Sequence, residues 1–415
     1  MLINIKDKFT SWNSPEVFQT YMITLVLLGF WGLKFIHYGA TDFIYLFLVV
    51  LLAIHSFWAR GNYHKMIRWY LLFVMVSCCS SWALNGQNPI LVIGHSYDYF
   101  ALLFFFYLVK SDLSSKETIK VMEMLALTFC IGYIVQWLIY PTVIFSQVDF
   151  FTNEAGKYRA RMTGSICCYF LLMYSINKFL LKKDWIFAVY GVLAFIPIII
   201  QGFRTLVGLS AVSAFLMIPF VLRSGRKTFF YSLLGAVVSV AILSTSLVQS
   251  KMEEMMGRQE RNQTFDNDDY IRVLSFDYYW NQQFKRPVEK ILGGGRPVDN
   301  STSYTKRINI ARNSYNYRWT DLGIVGLSMI IGIPAVLILV LIYLRCIWSC
   351  KEPEIQFVRF TFLIVLLGSG TTAEMYREGN ILLLSFFLYL EYKYHKELKI
   401  RKLFKKKVVT NNGNK

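Results

Sequence analysis

The chain has 415 residues, of which 55% are hydrophobic, 17% aromatic and only 17% charged, and its mean hydropathy is +0.41. A soluble protein of that composition would expose more apolar surface than water tolerates, which excludes a disordered chain, a secreted disulfide scaffold and an ordinary cytosolic enzyme. Lys plus Arg exceeds Asp plus Glu by 44 to 26, a formal charge of +18, and in a membrane chain that excess is a topology signal and not a nucleic-acid footprint.

Residues 1–10 are polar and carry no signal-peptide pattern, so the first apolar run is an uncleaved anchor. Runs long enough to span a bilayer fall at Val17 to Ile36, Ala40 to Trp58, Ile67 to Leu84, Pro89 to Val109, Val121 to Tyr140 and Thr163 to Leu181. Six more follow at Trp185 to Ile200, Phe203 to Leu222, Phe229 to Val248, Leu322 to Leu344, Gln356 to Thr372 and Ile381 to Tyr394. The pattern predicts an all-α integral membrane protein of about 12 transmembrane helices. Alternate connections are basic: Arg60 to Arg68, Lys110 to Lys120, Lys182 and Lys183, Arg223 to Lys227, Arg345 and Lys351, and the tail from Lys399 to Lys407. The positive-inside rule therefore places both termini in the cytoplasm.

Two connections on the opposite side are longer than a turn needs. The smaller is 141–161; the larger, 249–318, carries 12 basic and 9 acidic residues and reads as a polar, partly helical cap before the tenth helix. The expected organisation is thus helices one to nine over 1–248, the large extracytoplasmic loop over 249–318, helices ten to twelve over 319–394 and a basic cytoplasmic tail over 395–415. The seven cysteines lie within apolar runs or just after one and form neither a disulfide framework nor a metal set. No internal repeat marks two transporter halves.

Arginine on the outer side is informative because topology otherwise depletes it there. Four places stand out: Lys157-Tyr158-Arg159-Ala160-Arg161-Met162-Thr163-Gly164; the tight turn Gln201-Gly202-Phe203-Arg204-Thr205; Asp269-Tyr270-Ile271-Arg272, followed by Trp280, Pro287 and Gly293 to Gly295; and Ala311-Arg312-Asn313-Ser314-Tyr315, followed by Asp321-Leu322-Gly323. A guanidinium at a helix N-terminus offers a diphosphate a charge that does not titrate, bidentate donors and adjacent backbone N–H groups. The competing use is a headgroup contact made by a snorkelling side chain. Candidate bases are Asp321, Glu374 in the outer turn with Arg377, and the pair His95 and Asp98, three residues apart in the fourth span. A His–Asp structural clip and a helix cap at Asp321 are the plainer readings of these groups. The aromatics Trp280, Tyr304, Tyr315, Tyr317 and Trp319 suit either sugar stacking or an interfacial belt. The glycine run has no preceding strand and no following Lys-Ser or Lys-Thr, so it is not a phosphate-binding P-loop.

The ordered set Arg161-x-Thr-Gly, Gly-Phe-Arg204-Thr, Arg272 with Trp280, Pro287 and Gly-x-Gly, then Arg312-Asn313-x-Tyr315 leading into Asp321-x-Gly323-x-x-Gly326, resembles the bacterial O-antigen polymerase and ligase family. The resemblance covers Arg159 to Leu344, and its topology extends over the whole chain. It implies an integral-membrane glycosyltransferase acting on undecaprenyl-diphosphate-linked oligosaccharide at the outer face of the bacterial plasma membrane, with no cofactor, no metal and no nucleic acid. A chain-length regulator and a flippase in the same membrane are the implied partners. By position, Arg204 and Arg272 match the arginines proposed to hold the diphosphate, and Arg161 matches the arginine of the preceding loop. Arg312 departs from the pattern, because members often carry His before the Asn as candidate base and arginine stays protonated. The implied catalytic set is Arg204, Arg272, Arg312 and Asp321. The substrate-binding set is Arg159, Arg161, Asn313, Tyr315, Trp280, His95, Asp98, Glu374 and Arg377. A polysaccharide polymerase is the leading expectation; a ligase differs only in acceptor, and a flippase for the lipid-linked unit is the alternative of another class.

Overall fold

A computed structural model describes residues 14–32, 41–139, 142–144, 163–231, 271–377 and 379–412. The secondary structure of the described residues is all helical, with no strand among them. In chain order the helices are α1 Pro15–Gly32, α2 Thr41–Ala53, α3 Asn62–Asn85, α4 Pro89–His95, α5 Tyr97–Phe100, α6 Phe104–Ser111, α7 Ser115–Leu138, α8 Ile166–Lys182, α9 Ile186–Ile200 and α10 Arg204–Leu222. After the undescribed stretch come α11 Ile271–Asp277, a π-helical turn Tyr278–Gln283, α12 Pro287–Leu292, α13 Ser303–Ser314, α14 Gly323–Ile331, α15 Ile333–Ser349, α16 Gln356–Gly368 and α17 Asn380–Asn412.

Three of these are long and apolar enough to cross a membrane, Asn62–Asn85, Ser115–Leu138 and Thr205–Leu222, and the bent pair of Pro89–His95 with Tyr97–Ser111 makes a fourth. The remaining apolar helices are shorter, including α9, α14 and α15. Local chemistry sets the ends. Ser114 and Glu117 form a capping box at the start of α7, Asn88 caps α4 with Pro89 at its first turn, and Gly86 closes α3 in the left-handed conformation at φ 64°.

Two predicted spans are interrupted. The fourth bends by 60° at Ser96, and the tenth breaks at Gly332, whose φ is 84°. The second break has a local cause: Pro334 supplies no amide, and only glycine takes that backbone angle without strain. The core is built from the helices that are apolar on all sides, α5 with α6, the first half of α8, α16 and the first half of α17, flanked by α7, α9 and α10.

The connections gather at two opposite ends. At one end Arg223 donates to the Lys351 carbonyl (2.9 Å), Lys393 pairs with Asp112 (2.6 Å), Arg345 lies over the Tyr63 ring (5.0 Å) and Asn177 donates to the Pro353 carbonyl (2.8 Å). These are the basic connections of the sequence. The described part of the large loop, 271–318, and the turns at Gln201 and Glu374 lie at the other end, called here the loop end.

Candidate functional site

The described part of the loop folds on a small core of Tyr279, Phe284, Tyr304 and Ile308, which also takes in Met329 of α14. Between α12 and α13 the segment Gly293–Asp299 runs as a strap into the helical body. Gly294 N donates to Met329 O (2.8 Å) and Gly295 N to Ile330 O (3.0 Å), while Ser77 Oγ of α3 donates to Ile330 O (2.6 Å). The carbonyls that the break at Gly332 deprives of helical partners are thereby satisfied. A Cβ on Gly293 would sit 2.5 Å from Gly332 N and Ile330 O, so the run is glycine because backbone meets backbone there.

The strap continues with Arg296, which donates to the His95 carbonyl (2.7 Å) and to both carboxylate oxygens of Asp98 (2.8 and 2.9 Å) at the bend of the fourth span. Gln87, fully buried, accepts from Val298 N (3.1 Å) and from Thr305 Oγ1 (3.2 Å). Sequence reasoning missed Arg296; Gly-Gly-Gly-Arg-Pro looks like a connector, and the only available signal was a cation directly after a run that permits close approach. The structure also revises the expectation for His95 and Asp98. The helix breaks between them, so they share no helix face: His95 Nδ1 meets Asp42 (2.7 Å), and Asp98 holds Arg296. Asp98 and Asp42 are both buried, and each has a cationic or hydrogen-bonding partner as burial demands.

A second ionic centre lies where three chain segments meet. Glu374 is completely buried; its carboxylate pairs with Arg377 and accepts from Ser165 Oγ (2.9 Å) and Tyr169 OH (3.3 Å) at the start of α8. Asn380 donates to the Glu374 carbonyl (2.7 Å) and to Ser165 Oγ (3.2 Å), tying the same two segments. Arg377 donates in turn to Gln201 Oε1 (3.4 Å) and lies 5.1 Å from the Phe203 ring centroid. That contact reaches the tight turn before α10, where Gly202 takes φ 67° and Arg204 opens the helix. The Arg204 side chain lies outside the described set. Glu374 is fully buried and ion-paired with Arg377, with both of its hydrogen bonds on Oε2, so it positions Arg377 and faces no solvent, which makes it a poor base.

The loop joins this centre at its far end. Trp319 stacks on Tyr376 with centroids 5.9 Å apart, Tyr376 OH donates to Thr320 O (3.4 Å) and Gly323 O (3.3 Å), and Ile324 N donates to Ser369 O (2.9 Å). Asp321 is half-buried in the 3-10 turn Trp319–Leu322 and does not cap α14, whose first turn has no side-chain cap. Burial keeps the Tyr376 phenol protonated; Tyr99 and Asp321 add to this, and Arg377 opposes it. Tyr279, which donates to Tyr317 O (3.0 Å), is likewise held protonated by burial and by Tyr278, with Arg312 and Asp321 acting on it in opposite senses.

The other expected residues are distributed as follows. Arg272 is half-buried at the first turn of α11, which packs on the Trp319–Leu322 turn. Trp280 is stacked on Phe276 (5.9 Å) and has the Lys290 ammonium 4.9 Å from its ring centroid, so part of its aromatic surface is already covered. Arg312, Asn313 and Tyr315 are exposed on the last turn of α13 and just after it, and Tyr315 stacks on Tyr317 (5.6 Å). Arg159 and Arg161 lie outside the described residues. The geometry thus joins the Gln201–Phe203 turn, Arg377 and the loop end carrying Asp321 into one neighbourhood, while His95, Asp98 and Arg296 form another at the bend. No protein-family model matches the chain, and no curated protein matches it significantly.

Proposed function

We propose that the protein is a polysaccharide polymerase, a membrane glycosyltransferase that moves a growing glycan from undecaprenyl diphosphate onto a lipid-linked repeat unit. The observation that carries this reading is the meeting of the turn before Arg204, the Glu374–Arg377 turn and the loop end with Asp321 at one end of the helical body. Displacing a diphosphate from an anomeric carbon builds negative charge on the leaving oxygen, and preorganised guanidinium groups in a partly dry site are suited to stabilise it. In this scheme Arg204, at the N-terminus of α10, and Arg272, at the start of α11, hold the diphosphate. Arg377, locked by Glu374, fixes the turn on which Arg204 stands. Arg312 is exposed and reaches the bound substrate from the loop. Asp321, half-buried and not engaged as a cap, is the best-placed acceptor for the hydroxyl proton, and that proton transfer is eased as the sugar becomes more cationic.

Two interrupted spans favour the transporter alternative, because half-helices in transporters often frame a substrate site. Here both interruptions receive the strap: its amides and Arg296 take the groups that a substrate would otherwise meet. That supports an enzyme with a fixed loop over an alternating-access carrier.

The test is a chromosomal deletion with analysis of the accumulated lipid-linked glycans. Single repeat units are expected; full-length polymer still on its lipid would indicate a ligase, and units trapped on the cytoplasmic face a flippase. Arg204→Lys and Arg272→Lys, which keep charge but lose the planar fork, are each expected to cut polymerisation by about 100- to 1000-fold at normal protein amount. Near-normal polymer from both would overturn the diphosphate site.

A further inference from the structure

At the end opposite the described part of the loop, α1, α2 and α6 line a cavity of about 440 Å³ that is open to the outside, within the size range of small-ligand sites. Its walls differ in character. Ile23, Leu51 and Leu52 form an apolar side, and Leu51, 53% exposed, opens toward the outer surface of the bundle. Glu16, His55 and Lys110 form a polar side, and the buried Thr20 and Tyr107 hydroxyls, 3.4 Å apart, close the floor between them.

The charges lining this cavity are not used against each other. All three are exposed; among the described residues Lys110 and His55 make no ion pair, and Glu16 accepts from Ser14 Oγ (2.8 Å) and its own backbone amide. A cation and a carboxylate that face one cavity without meeting suit a ligand carrying both charges, with an apolar extension leaving along Leu51. The first turns of α7, which follows α6, carry Lys116 and Lys120, the latter paired with Glu123 (3.7 Å), as expected beside a lipid headgroup layer.

We propose that this cavity binds the headgroup of an aminophospholipid of the phosphatidylethanolamine type. Lys110 and His55 take the phosphate, Glu16 takes the ammonium, and an acyl chain follows the exposed face of α2. The assignment rests on the membrane reading of the apolar helices and is independent of the polymerase reading. An anionic lipid would use Lys110 alike but would leave Glu16 facing a negative headgroup, so selectivity separates the two.

The test uses the purified full chain in detergent with equal amounts of phosphatidylethanolamine and phosphatidylglycerol, with native mass spectrometry reading the lipid adducts. Wild type is expected to retain phosphatidylethanolamine preferentially, Lys110→Ala to lose that adduct about tenfold, and Lys110→Arg to keep it. Glu16→Gln is expected to keep a phospholipid adduct but lose the preference for the amine. Equal adducts in wild type and Lys110→Ala, a preference for phosphatidylglycerol in wild type, or no adduct at all would overturn the site. Alkaline extraction of the source membranes runs in parallel: release of the protein would overturn the membrane reading itself, whereas retained protein without an adduct overturns the cavity assignment alone.

Discussion

The strap Gly293–Asp299 and the end of α13, Arg312 to Tyr315, belong to the same loop but use their polar groups differently. In the strap, backbone amides and the Arg296 guanidinium are consumed by Met329, Ile330, His95 and Asp98. At the end of α13, Arg312 and Asn313 face solvent. The contrast teaches that a loop can hold still and still present free charge: the strap supplies rigidity at the cost of its own chemistry, and the exposed turn keeps its chemistry because something else fixes it in place.

The largest effect should come from Gly293→Val. Its side chain meets backbone at Gly332 and Ile330, which cannot yield as a side chain can, and the positive φ of 83° adds strain. Loss of most folded, membrane-associated protein is expected in quantitative blots. Arg296→Ala comes next: it leaves the buried Asp98 carboxylate without its guanidinium, a change that typically costs about 3 to 5 kcal/mol. Asp98→Asn in the same chain should recover part of the loss in thermal unfolding, since the uncompensated charge is then gone. An Arg296→Ala protein with wild-type melting behaviour would remove the strap's claim to be the rigid part.

For the exposed turn the expectation reverses. Arg312→Ala should leave unfolding within about 0.5 kcal/mol of wild type. If the proposed polymerase reading holds, polymer formation should nevertheless fall roughly 10- to 100-fold, the size expected from one charged hydrogen bond to a bound oxyanion. A parallel drop in protein amount would show that Arg312 is structural after all. The smallest effect is expected for Lys306→Ala, an exposed position on α13 with no ion pair among the described residues, where neither polymer length nor stability should move. Topology can be checked in the same cells: a single cysteine at Asn300 should react with an impermeant maleimide in spheroplasts, and one at Ser224 should not.

Much of the helix inventory was legible because long apolar runs report burial directly. α3, α7 and α10 emerge within a few residues of their expected bounds. The interruptions at Ser96 and Gly332 were not, since hydropathy is continuous across both, although Gly332 followed closely by Pro334 carried a readable hint. The Glu374–Arg377 pair was visible as two opposite charges three residues apart; its attachment to Ser165, Tyr169 and Gln201 was not, because those partners lie 176 to 209 positions away along the chain. Arg296 shows the limit most clearly. Its partner Asp98 is 198 residues distant, and no local pattern announces a contact that only the folded body creates.

The break at Gly332 also bears on how the chain assembles. Carbonyls at the end of α14 have no helical partner, and hydrocarbon offers none, so α14 and α15 cannot rest as a finished pair until Gly294 and Gly295 have reached them. The strap is synthesised before α14 and after α4, and it closes against both. Maturation therefore waits on one late docking event, and a chain that fails it presents quality-control proteases with an unfinished apolar segment rather than a completed fold.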